Sequence, residues 1–398
     1  MFAHLRIYMR QKENLWNRDF IIACITYFLV ACSFHLLMPT IPIFLAEELK
    51  IPTSEIGLVL SSYVLALFIV RPFSGYFVDI FDRKKLLLIG ISMFVAIYIG
   101  YYFAFTVLFL FVLRFVHGLF WGLSTVSANT VAIDIIPASR RAEGIGYFGV
   151  NSNLAMAIAP FIAVKIYDAY GFPTLISSAL FMGILSILVV ALIKVPKREK
   201  CKTIPAPSFD RFILIKSIPI LGNQLFMSFG WGTLVAYAVL YGKEIGIHNA
   251  GVFFLFLAAG IILSRVTSGR IVDRGYLHPV IATALLIISI GFISFSVFHN
   301  VIMYSFSAFL IGLGYGTLFP ALQTIYINMA PASKRGTANS TYLTGFDVGI
   351  GIGILLGGWI SEKSGYEEMF LIAGLLMLLA LIIYWLNSRK VFERNRLN

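Results

Sequence analysis

Apolar runs long enough to cross a lipid bilayer succeed one another along almost the whole chain, and this limits the fold more than any single motif. Spanning the hydrocarbon takes about 20 residues as a helix. The sequence supplies that length twelve times: Phe20 to Leu45, Ile56 to Val78, Leu86 to Phe105, Val107 to Ile133, Ala142 to Ile166 and Thr174 to Ile193, then Ile213 to Leu240, Ala250 to Val272, Pro279 to Phe298, Val301 to Asn328, Ala338 to Ile360 and Met369 to Leu386. A chain that is 59% hydrophobic, 13% charged and of mean hydropathy +0.88 has more apolar surface than water-soluble domains can bury. An all-α membrane protein of 12 transmembrane helices is therefore expected.

The formal charge of +12 would suit a nucleic-acid binder if it were gathered in a patch. Instead the 31 Lys and Arg punctuate the apolar runs, and most fall on one side of the expected spans. By the positive-inside rule both termini are cytoplasmic, and no nucleic-acid partner is implied. The basic start leading into the Phe20 to Leu45 run reads as an uncleaved first span rather than a leader peptide. Cys24 and Cys32 lie roughly 12 Å apart along a helix, too far to bridge, and are read as packing residues.

The chain repeats itself. Arg71-Pro-Phe-Ser-Gly-Tyr-Phe-Val-Asp79 recurs as Arg265-Val-Thr-Ser-Gly-Arg-Ile-Val-Asp273, 194 residues later. Pro137-Ala-Ser-Arg-Arg141 recurs at Pro331 to Arg335, Gly118 and Gly122 map onto Gly312 and Gly316, and Gly171 maps onto Gly365, all at the same offset. These matches imply two pseudo-symmetric six-helix bundles, residues 1–195 and 212–398, joined by a basic linker at 196–211.

These residues carry a resemblance to the major facilitator superfamily that covers nearly all of the chain. Its loop signature matches Gly75, Asp79, Arg83 and Lys84, with Ile80 and Asp82 where Arg and Gly are common. Its fourth-span pattern matches Arg114, Gly118 and Gly122. The chain is most similar to the twelve-span drug and metabolite exporters driven by protons, although their fifth-span glycine series appears here as Gly146, Gly149, Ala155, Ala159 and Pro160. The resemblance implies alternating access around a midplane cavity. It implies a cytoplasmic gate made from Gly75, Asp79, Arg83 and Asp134, with Arg265, Gly269 and Asp273 in the second half. The superfamily's gate forms when the cytoplasmic side closes, which would favour the outward-facing state. The resemblance also places span two against span eleven, and hence Arg71 opposite Asp347.

Ionisable groups at membrane depth cost about 2.5 to 3.5 kcal/mol each and call for a partner or water. Asp347 is the single mid-span acid, roughly 15 Å into span eleven, and Arg71 lies at a similar depth. A low dielectric favours the protonated form of a carboxyl and a neighbouring guanidinium favours the ionised form, which suits a proton-coupling group; a permanent ion pair is the structural alternative. Asn153 occupies the position equivalent to Asp347, so Arg265 faces an amide where Arg71 faces an acid. Arg114, with His117, is read either as holding an anionic substrate group or water, or as donating to carbonyls of span one. His35 is a lone intramembrane histidine. The resemblance adds Asn129, Asn151, Asn153, Asn223, Gln224, Gln323 and Tyr326 as cavity-lining residues.

No phosphate-cradling glycine loop, clustered metal ligands or nucleophile triad is present, so neither an enzyme nor a cofactor or metal requirement is expected. The functional expectation is a monomeric, proton-coupled exporter of a small organic compound in the bacterial inner membrane. An importing symporter or uniporter, and a non-transporting membrane sensor, are the alternatives.

Overall fold

The computed structural model describes residues 14–103, 106–137, 140–196, 214–273, 276–330 and 335–397. Side chains at 75, 79, 153, 265, 269 and 273 fall outside the described residues, and with them the expected contacts of Gly75, Asp79, Asn153, Arg265, Gly269 and Asp273. The described chain is helical from end to end. In chain order the helices are α1 (Arg18–Leu37), α2 (Thr40–Glu47), α3 (Thr53–Ile80), α4 (Arg83–Ala96), α5 (Val107–Ile135), α6 (Arg141–Ala191), α7 (Ile218–Glu244), α8 (Val252–Asp273), α9 (Leu277–Val297), α10 (Val301–Asn328), α11 (Arg335–Ser364), α12 (Tyr366–Ile383) and α13 (Arg389–Asn395).

Polar residues at the boundaries explain where several helices begin. Asn17 accepts a hydrogen bond from the Phe20 amide at 2.8 Å, Thr106 from Phe109 at 3.3 Å and Asn300 from Met303 at 2.9 Å, each satisfying an amide that has no partner within its helix. Asp82, in the loop position where the superfamily commonly has Gly, does the same for Lys85 at 2.9 Å and starts α4. The Asp is thus a helix cap.

Ten helical segments among the described residues are long and apolar enough to cross a membrane, and a shorter apolar stretch, Val252–Ser264, begins α8. One of the ten covers two of the runs expected from sequence. Within α6 the backbone breaks at Gly171 (φ 79°), a conformation that favours glycine. Its counterpart 194 residues on, Gly365, has φ 95° and separates α11 from α12.

The internal repeat is also visible in how helices pack. A Cβ on Gly118 of α5 would stand 2.6 Å from the carbonyl oxygen of Tyr63 on α3, and Gly312 of α10 is likewise pressed against Leu257 of α8. Gly122 abuts Val70, and Gly316 abuts Ser264. Each of these partner pairs is again offset by 194 residues. Small residues let backbones approach closely where lipid gives no hydrophobic drive for helices to associate.

Two elements from opposite halves of the sequence, α3 and α11, are the axis on which the candidate site lies. Gly57 of α3 would place a Cβ 2.8 Å from the Ile354 carbonyl oxygen, Gly351 would place one 2.9 Å from Val64, and Gly358 one 2.5 Å from the Thr53 carbonyl oxygen. The Tyr237 hydroxyl of α7 donates to the same Ile354 oxygen at 2.7 Å. These contacts close the end of the bundle that carries Thr53 and Ser364, which we call the far face.

Candidate functional site

Where α3 and α11 cross, Arg71 Nε lies 2.7 Å from Asp347 Oδ2, and both side chains are largely withdrawn from solvent. The contact is electrostatic rather than a well-aligned hydrogen bond, because neither atom has a partner in hydrogen-bond geometry. A buried carboxylate and a guanidinium each need the other to offset the loss of water. The pair therefore ties α3 to α11 through an attraction that proton uptake would weaken.

Eight residues before Arg71, and thus roughly 12 Å along α3, Tyr63 carries the guanidinium of Arg114 over its ring at 4.9 Å. Arg114 is 1% exposed. Its Nη2 donates to Met38 Sδ at 3.6 Å, while Nε and Nη1 have no hydrogen-bond partner. A thioether thus takes the place of the span-one backbone carbonyls that the sequence suggested as acceptors. One turn further, the fully buried His117 shares a 3.1 Å hydrogen bond between Nδ1 and the Tyr101 hydroxyl, and the Tyr101 side chain lies next to the Arg114 guanidinium. Phe34 stacks on Trp121 with centroids 4.1 Å apart and on Tyr63 at 5.2 Å, while half-buried His35 sits edge-on to Phe34 at 5.1 Å.

The amides expected to line a cavity divide. Asn223 is buried and donates to the Ala380 carbonyl at 3.1 Å and to Ser388 Oγ at 3.2 Å, so it fastens α7 to α12 instead of facing a cavity. Gln224 donates to the Tyr342 carbonyl at 2.9 Å and leaves its Oε1 without a partner beside Gly345. Asn129 and Asn151 turn back onto their own helices, at Thr125 and at Tyr147 and Phe148. Gln323 is half-buried, and Tyr326 is buried with its ring 5.8 Å from that of Tyr342.

Toward the opposite end of α3, Arg83 makes a short bidentate contact with Asp134 and donates from Nε to the Val78 carbonyl at 3.3 Å. This pair is formed while the far face is closed. Arg83 and Asp134 stand on α4 and α5, neighbours in the first half of the chain.

At the far face, Lys243 at the end of α7 reaches Glu47 of α2 at 3.0 Å and Asp168 of α6 at 2.9 Å, and Glu362 of α11 accepts from the Ser54 amide at 2.9 Å. The sequence marks Lys243 only as an isolated basic residue on the sparsely charged side. Nothing in it pairs this residue with acids 196 and 75 positions away. Tyr63 and Tyr101 are likewise indistinguishable among 19 tyrosines.

Comparison with known proteins identifies the architecture. The sequence profile of the Major Facilitator Superfamily matches residues 23–279 and 252–397. The chain is 25% identical over 357 residues to the staphylopine export protein of Staphylococcus aureus, covering 86% of this chain and 89% of that protein. It is 23% identical over 376 residues to the multi-drug resistance efflux pump PmrA of Streptococcus pneumoniae, covering 90% and 93%. Among solved structures, a point variant of the nucleoside transporter NupG superposes with a TM-score of 0.81 at 12% identity, covering 93% of this chain and 99% of that one. Helices of membrane-spanning length, glycine-mediated packing between them and a profile match over nearly the full length lead to one conclusion: the chain belongs to the Major Facilitator Superfamily and is a multi-pass membrane protein that transports small molecules.

Proposed function

We propose that the protein is a twelve-span, proton-coupled exporter of a small organic compound, resident in the bacterial inner membrane with both termini in the cytoplasm. Residues 1–195 and 212–398 rock about a midplane site, with the 196–211 segment as their link. The observation that carries this reading is the Arg71–Asp347 pair between α3 and α11. Protonation of Asp347 removes its charge, releases Arg71 and weakens one contact between the halves, so a proton gradient biases the conformational equilibrium. The likeness to two relatives named as export or efflux proteins favours outward movement. Import by symport is the second reading, favoured by Ala155 and Ala159 in the fifth-span glycine series and by the fold shared with a nucleoside transporter.

Reconstitution in proteoliposomes tests the coupling. With a compound identified by growth of a deletion strain against toxic compounds, Asp347→Asn is expected to keep counterflow while losing accumulation driven by a pH gradient. Full gradient-driven transport by that variant would sink the proposal. Reversing the gradient separates the two directions, since antiport drives the compound against the proton flow and symport with it.

A further inference from the structure

The end of the chain carries charges that the fold leaves unused. Helix α12 runs into α13 through one wider turn, Tyr384–Ser388, where the Arg389 amide donates to the Tyr384 carbonyl five residues back. The extra residue in such a turn shifts the face presented by everything after it. Tyr384, Ser388 and Phe392 are buried, whereas Trp385, Leu386, Arg389, Lys390 and Arg394 are exposed. Several bonds hold the element in this position. Asn223 of α7 donates to Ser388 Oγ at 3.2 Å, and the Leu397 amide donates to the Asn328 carbonyl at 2.9 Å. His278 of α9 bridges the Tyr384 hydroxyl at 2.6 Å and Glu393 Oε1 at 2.7 Å, and Arg396 Nε lies 3.2 Å from Glu393 Oε2. The acid of α13 thus has both oxygens engaged.

A segment far away in sequence adds a further cation. The turn Ile215–Ser217, which leads into α7, packs against α13 and presents exposed Lys216 together with exposed Ile215 and Ile218. Among the described residues no carboxylate pairs with Lys216, Lys390 or Arg394, and Arg389 lies over the exposed Trp385 ring at 4.7 Å. Cations at the same end of the first half are spent on the fold: Arg83 pairs with Asp134, and Lys84 donates to the Ala191 and Ile193 carbonyls at 2.9 and 2.7 Å. At 194 positions earlier, Lys216, Arg389 and Lys390 correspond to Ile22, Val195 and Pro196. Packing this end of a bundle therefore does not call for cations at these positions. Both segments stand where the apolar runs of α7 and α12 begin and end, so Ile215, Ile218 and Leu386 meet acyl chains while the cations reach headgroup level.

We propose that Lys216, Arg389, Lys390 and Arg394 form a binding site for the phosphate-bearing headgroup of an anionic phospholipid, with its acyl chains against Ile215, Ile218 and Leu386. The lipid joins the ends of α7 and α12 from the membrane side, where Asn223 joins them from within. The inference rests on the membrane-spanning fold, not on the substrate, the direction of transport or the Arg71–Asp347 pair. The proposed cytoplasmic placement of the termini decides only which leaflet supplies the lipid. A freely diffusing phosphate offers the same headgroup chemistry without the chains, and the experiment separates the two.

The test titrates the full-length protein in detergent with phosphatidylglycerol or with phosphatidylcholine of the same acyl chains and counts bound lipid by native mass spectrometry. Phosphatidylglycerol is expected to be retained about tenfold more tightly or better. Each Lys or Arg near an anionic lipid surface is worth about fivefold, so Lys216→Gln/Lys390→Gln/Arg394→Gln is expected to lose that preference by about tenfold or more. Arg18→Gln/Lys85→Gln/Lys194→Gln removes the same charge from the same end of the bundle and should keep it. Inorganic phosphate and glycerol 3-phosphate at the lipid's concentration should leave retention unchanged. Equal retention of the two lipids, an equal loss in the control variant, displacement by the soluble phosphates, or an undiminished preference in the first triple variant would each overturn the assignment. Should that variant fail to fold, Lys390→Glu alone sets an acid in the exposed stripe, and unchanged retention by it overturns the assignment as well. Failure of proton coupling appears separately, as gradient-driven transport retained by Asp347→Asn, and leaves this binding result unaffected.

Discussion

Asp347 and Arg71 depend on each other for more than alignment. Removing one partner of a buried pair leaves the other charged and desolvated, which costs about 3 to 5 kcal/mol, whereas removing both leaves no charge to compensate. Arg71→Gln and Asp347→Asn are therefore each expected to lower the unfolding temperature of the detergent-solubilised protein, and the double variant to recover most of the loss. If the double variant were as unstable as the sum of the singles, the two side chains would not be acting as a pair. Both residues stand out in the sequence because ionisable groups are scarce inside apolar runs. Asn223 does not stand out in the right way: an amide in a span looks the same whether it faces a cavity or, as in this fold, ties α7 to the Ala380 carbonyl.

Among the helices, the crossing of α3 and α11 depends on side chains that are missing. Gly57 and Gly358 sit against backbone of the opposing helix, with Gly358 placing an added Cβ 3.2 Å from the Gly57 Cα. Gly358→Leu is expected to hold the far ends of α3 and α11 apart and abolish cycling while the protein still inserts and folds. Counterflow reads the loss, and retention of wild-type counterflow would show that the contact is not used. Lys243 adds an electrostatic clasp at the same end, joining α7 to α2 and α6. Because these groups are partly exposed, each pair is worth under about 1 kcal/mol. Lys243→Glu, which turns two attractions into repulsions, should therefore shift the equilibrium away from far-face closure by a measurable factor without unfolding the chain. The glycines at 351, 357 and 358 are conspicuous in the sequence; that 57 lies opposite 358 is not.

Among the described residues, the two halves meet at the crossing of α3 and α11, between α6 and α8, where Gly251 lies against Val164, and at the charge pairs of the far face. Transport by rocking requires those contacts to open together. Spin labels at Glu55→Cys and Lys363→Cys, both exposed, in a background lacking Cys24, Cys32 and Cys201, report the separation of the far ends of α3 and α11. The distance distribution is expected to be short in the closed far-face state and to gain a longer component when Asp347→Asn removes the charge pair. A single unchanged distance under both conditions would mean that the pair does not govern this opening.

Solvent and symmetry were legible in the order of the amino acids alone. Unbroken apolar length is satisfied by helices in lipid, where every backbone polar group must bond within its own segment, and matches at one offset specify a repeated unit. Asp347 and Arg114 were legible too, since charge is costly at membrane depth and therefore rare. The family resemblance set Arg71 opposite Asp347 and grouped Arg83 with Asp134, but which other charges meet was settled only when the helices packed. Arg71 takes Asp347, Arg83 takes Asp134, Lys243 takes Glu47 and Asp168, and Arg114 is left with two nitrogens unpartnered. Pairing depends on side-chain direction and on the register between helices distant in the chain, and hydropathy encodes neither. The unmatched charge of Arg114 is a property of that register, because the buried acid among the described residues of this region lies within reach of a different guanidinium.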